Sequence, residues 1–191
     1  MSSFNSQVSG ESWTTFSKVV IGVWLAVWLY AALHNQYLIR IAPEHFTVWH
    51  YKMPFFTSYT MLGIAYAFAA SISPGVMLGV FLYIAGRLFN RPKLTPTQII
   101  LSTAWVWVAV EVSAGIVGVI VWRTGKSLYP DCVYPDDSLG LLITQSIQIT
   151  AYLTGAMFSC ILIACTWQKR RSLTEKGVAE ARNEPSDCTQ C

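Results

Sequence analysis

A carboxyl group in the middle of an apolar stretch is where this sequence most invites a chemical reading. Glu111 is the only Asp or Glu within the apolar runs, and it lies near the centre of the run 98–122. An ionisable side chain at that depth in a bilayer costs several kcal/mol unless it is protonated or paired. It therefore serves either as a proton-relay or ion-coordinating carboxylate, or as a neutral group whose single hydrogen bond holds two helices together. No basic residue lies at a matching depth, so a buried ion pair is excluded and the expected partner is polar and neutral, with Glu111 protonated near pH 7 because desolvation disfavours charge. The run 139–167 offers such partners. Gln145, Gln148, Tyr152, Gly155 and Ser159 recur at spacings of three and four, which places them on one helix face. Glu111 meeting Gln148 or Tyr152 across a polar interior is the sharp account, and a plain packing seam is the bland one.

A second group of candidate residues lies at one end of the apolar runs. His34, His45 and His50 are the only histidines, and a later polar loop supplies Asp131, Cys132, Asp136 and Asp137. Imidazole with carboxylate makes a zinc or copper ligand set, with His45, His50 and Asp136 as the ligand candidates. His34, His45, His50 and Asp131 are the residues an enzyme acting at this face would use. The five-residue interval from His45 to His50 is not the spacing that places two rings on one helix face, and interfacial histidines are common without a metal. The bland account is the stronger one here.

Several absences narrow the chemistry. Membrane b-type haem needs axial histidines on facing spans, whereas only His34 is near a span. The runs contain no buried lysine for a retinal Schiff base, and the one Cys-x-x-Cys, Cys188 to Cys191, is in a polar tail. Walker, Gly-x-Ser-x-Gly and His-Glu-x-x-His motifs are missing. No cofactor is expected, and an enzyme is the least favoured function class.

These residues need elements to position them, and composition says which. Of 191 residues, 53% are hydrophobic and 12% charged, about half the charged share of a typical soluble domain. A small soluble core cannot hide so much apolar surface, and lipid resolves the conflict. Four runs, at about 19–38, 56–88, 98–122 and 139–167, are long enough to cross a hydrocarbon layer of about 30 Å. The expected fold is all-α: a polytopic membrane protein built as a four-helix bundle, flanked by polar segments at 1–18 and 168–191. The second run is long for one crossing and contains Pro74, so it reads either as one kinked helix or as two short spans.

Charge decides between those readings. With four spans, Lys18, Arg87, Arg91, Lys93, Lys169, Arg170, Arg171, Lys176 and Arg182 share one side, and Arg40, Lys52, Arg123 and Lys126 the other. Nine against four places both termini in the cytoplasm, and splitting the second run would erase the bias. One kinked helix is the better reading. The net charge of +3 follows the ends of the apolar runs rather than a groove, so nucleic acid is not an expected partner. The lipid bilayer is, together with further copies of the chain or a larger membrane complex. The tail from Ser172 onward is expected to fray or stay disordered.

Overall fold

The computed structural model describes residues 12–51, 53, 55, 58–130 and 138–183, with side chains described as far as Glu175. All regular structure among them is helical: α1 (Trp13–Ile41), α2 (Pro43–Thr47), α3 (Tyr59–Arg87), α4 (Pro96–Leu101), α5 (Ala104–Thr124) and α6 (Leu139–Asn183). Four helical stretches, with α4 and α5 counted as one, are long and apolar enough to cross a membrane. That is the expected four-helix bundle, and the composition is that of a multi-pass membrane protein.

Local chemistry explains most boundaries. The Ser12 side chain accepts from the Thr14 N–H and starts α1. Thr95 and Gln98 form a reciprocal capping box, with Pro96 in the first turn of α4. The third span is interrupted at Ser102–Thr103. Both hydroxyls donate to carbonyls three residues back, at 2.6 and 2.7 Å, competing with the helical ladder. Gly125 closes α5 at φ 63°, a left-handed cap that glycine adopts without a Cβ penalty. α3 runs as one helix through Pro74, as charge counting requires.

α6 departs from expectation at its far end. Where the sequence reading expects fraying beyond residue 172, the helix continues to Asn183. Leu173, Glu175, Lys176, Ala179 and Ala181 are good helix formers, and Arg171 pairs with Glu175 one turn on at 3.0 Å.

Packing divides the bundle into two close pairs, α1 with α3 and α5 with α6. Glycine sets the first. A Cβ on Gly79 would lie 2.9 Å from Val20 Cα, and one on Gly75 would lie 3.0 Å from Trp24 Cα. This is the small-residue seam their spacing implies. On α5, Ala114 and Gly118 are buried and Gly118 faces Ile147 of α6, but Gly115 looks into open space. α1 packs on α4 at one end, and towards the other end α1 and α5 make little backbone contact.

Candidate functional site

The gap between α1 and α5 is closed by side chains. Tyr30, His34 and Tyr37 stand four and three residues apart on α1, hence on one face, and all three reach Glu111 of α5. The Tyr37 hydroxyl donates to Glu111 Oε1 at 2.6 Å, and the Tyr30 hydroxyl donates to Oε2 at 3.1 Å. His34 Nδ1 lies 2.9 Å from Oε2 and also 2.9 Å from the Tyr37 oxygen. Trp107, one turn before Glu111, stacks on Tyr30 with centroids 6.2 Å apart. His34 is 6% exposed and the Glu111 side chain 41%. The imidazole Nε2 is buried without a partner among the described residues.

This arrangement corrects the expected pairing. Glu111 meets His34 and two tyrosines, not Gln148 or Tyr152, and its neighbour at matching depth is a basic side chain after all. The physical reason is the continuity of α1. The helix is continuous from Trp13 to Ile41 and carries His34 on the face that holds Tyr30 and Tyr37, so the imidazole points at α5 rather than ending a polar margin. Tyr30 and Tyr37 are the residues that sequence reasoning missed, although Tyr30, His34 and Tyr37 at i, i+4 and i+7 carried the signal.

The fourth-span stripe divides. Gln148 Nε2 donates to the Tyr152 hydroxyl at 2.8 Å, but Tyr152 is 60% exposed rather than interior. The other end of Gln148 meets His45: the imidazole Nε2 and Gln148 Oε1 are hydrogen-bonded, tying α2 to α6. The Gln145 side-chain oxygen is buried with no partner among the described residues. Gly155 has Val110 at 4.0 Å from an added Cβ, a loose contact.

His45 and His50 do come together. α2 ends at Thr47 and the chain folds back, so their ring centroids lie 4.5 Å apart, and His50 Nδ1 donates to the His45 carbonyl at 2.8 Å. Phe46 stacks on His50, and Tyr66 of α3 packs edge-on at 5.1 Å. Burial holds the His45 imidazole well below its ordinary value, at about 4, with His50 adding repulsion against Gln148 and Glu44. Glu44 itself accepts from the Ser138 hydroxyl at 3.1 Å, a second tie to the start of α6. His34 belongs to the other cluster. Asp131 and Asp136 lie outside the described residues, among which no group of three metal-ligating side chains occurs.

Two grooves on the bundle, one along Trp28, Met61 and Phe68 and one along Ile41, Gly118 and Trp122, are apolar and include none of these polar side chains. The arrangement around Glu111 can share a proton between carboxyl and imidazole and can resist separation of α1 from α5. Comparison with protein-family models, curated proteins and solved structures finds no match to this chain.

Proposed function

We propose that this chain is a non-catalytic membrane component, an accessory, assembly or scaffolding subunit that works within a homo-oligomer or a larger membrane complex with both termini in the cytoplasm. One observation carries the reading: both oxygens of the intramembrane carboxyl are occupied by side chains of a single neighbouring helix. They sit where the two helix pairs lack close backbone packing. A carboxyl used in this way is a fastening between helices, and polar residues are a recognised glue where lipid offers no hydrophobic drive for association. The test is Glu111→Gln. A subunit needs only a hydrogen-bonding shape at 111, so the variant should express, assemble and co-purify with the wild-type set of partners in mild detergent.

A second reading, transport of a proton or cation by an oligomer, is favoured by the direct contact of Glu111 with His34, whose ring can gain or lose a proton. In reconstituted liposomes this reading requires flux through the wild type that Glu111→Gln abolishes while expression stays normal. Wild-type liposomes without flux of protons or common cations leave the subunit reading standing.

A further inference from the structure

At the opposite end of the bundle, the α3–α4 loop is built with unusual care. Phe89 takes φ 70°, the left-handed region that costs a non-glycine residue strain. Its ring rests edge-on against Trp167 of α6 at 5.4 Å. Arg170, fully buried, reaches from α6 into the loop. Its guanidinium donates to the Ala85 and Pro92 carbonyls at 2.8 Å each, to the Arg91 carbonyl at 3.1 Å, and to that of Phe89 at 3.5 Å. This covers the carbonyl end of α3, where a cation is favoured. The Leu94 N–H returns to the Gly86 carbonyl at 3.0 Å, and the Arg87 guanidinium donates to the Leu94 carbonyl.

The clamp fixes Arg91. Its guanidinium carbon lies 4.3 Å over the centre of the Trp167 ring, and its Nη1 is buried without a hydrogen-bond partner. Nη1 is covered by protein, but Arg91 as a whole is only partly buried, and a guanidinium spread on an aromatic plane is suited to accept an anion at its accessible edge. Basic residues stand near it in sequence: Lys169 is exposed, and segments 87–93 and 169–171 contain no acidic residue. Glu175, one turn further on, is held by Arg171.

We propose that Arg91, seated on Trp167, forms the centre of a binding site for the phosphate of an anionic phospholipid headgroup. The position selects lipid over a free anion. Trp167 ends the last apolar run, and Arg87 ends α3, so the site lies at the level where headgroups meet hydrocarbon. The two-donor fork of arginine matches phosphate oxygens, and the clamp means that little ordering remains when the lipid arrives.

The experiment uses the full chain in neutral detergent, with phosphatidylglycerol and phosphatidylcholine offered in equal amounts and retention read by native mass spectrometry. The expected result is retention of phosphatidylglycerol about tenfold above phosphatidylcholine, the effect of one charge-assisted contact. Arg91→Gln should remove that preference, Arg91→Lys should restore part of it, and Arg171→Gln, which breaks only the pair with Glu175, should keep it. Should Arg91→Gln fail to fold, the wild type in about 0.5 M salt, where screening reaches only a few Å, should lose the preference instead. Equal retention of the two lipids, an unchanged preference in folded Arg91→Gln, or, where that variant does not fold, an unchanged preference of the wild type in high salt, overturns the proposal. So does thermal stabilisation by inorganic phosphate equal to that by phosphatidylglycerol, which identifies a free-anion site.

Discussion

Replacing Glu111 by Leu removes the acceptor shared by three donors of α1, and the structure sets how much stability should follow. Interhelical hydrogen bonds in membranes average about 0.6 kcal/mol and reach about 1.7 at most. Three of them give roughly 2 kcal/mol. With the acceptor gone, Tyr37 and His34, 2.9 Å apart, are free to bond each other and recover about one of the three. The expected loss is therefore about 1–1.5 kcal/mol, and Glu111→Gln, which keeps one acceptor, should lose less than about 1. The sharper measurement is a double-mutant cycle between Glu111→Leu and His34→Ala, read by unfolding in mixed micelles. Two residues in direct contact should show a coupling of about 0.5 kcal/mol or more, because the second deletion removes what the first has already broken. Additive losses, with coupling below about 0.3 kcal/mol, would refute the fastening between α1 and α5 and leave the cluster as an incidental contact.

Three further outcomes are expected. Gly79→Ala should destabilise the protein by about 1–3 kcal/mol, since its new Cβ presses on the Val20 backbone, while Gly115→Ala should be close to neutral because nothing lies within 4 Å. Thermal melts of the two in one detergent check the contrast. For His45 the depressed value means that the unfolded chain binds a proton more readily than the folded one between pH 6.5 and about 4. Stability should then fall on acidification through that window, by on the order of 3 kcal/mol at its lower end, and His45→Phe should flatten the slope in pH-dependent melts. Finally, in a background without native cysteines, a cysteine at Thr47 should react with an impermeant thiol reagent from outside intact cells, and one at Lys93 only after permeabilisation. Labelling of position 93 from outside reverses the proposed orientation.

The architecture was readable because it depends on bulk properties. Run length gave four spans, and the distribution of Arg and Lys kept α3 whole across Pro74, where local propensity alone argues for a break. Helix ends were less readable: α1 outruns its apolar stretch of 19–38 by six residues at its start and three at its end, and the polar His34, Asn35 and Gln36 stay in a helix that gives them partners. Asn35 donates to the Gly63 carbonyl at 3.1 Å and Gln36 to that of Thr60 at 3.2 Å. The isolation of Glu111 was plain in sequence, but its partners were not. Periodicity tells which residues share a face of their own helix, and not which helix that face meets. The sequence holds two regular polar faces, one on α1 and one on α6, and only the second was weighed as the partner of Glu111. The three-dimensional arrangement chose the one with tyrosines, and sent Gln148 to a histidine of the short helix α2. Arg170 shows the same limit from the other side. In sequence it is one of several tail cations, and only the fold reveals that its carbonyl partners lie 78 to 85 residues upstream.

The direction of that separation matters most for Glu111. Its three donors precede it by 74 to 81 residues, so a ribosome delivers α1 and α3 to the bilayer well before α5 emerges. The carboxyl thus reaches the membrane after its partners, and need not wait in hydrocarbon for a helix still to be made. A circular permutant that moves α1 behind α6 can keep the contacts of Glu111 in the finished protein while reversing this order of arrival. Such a chain, once folded, should melt with the parent, yet its yield should drop, because the quality-control machinery of the cell would meet a stranded acid during synthesis.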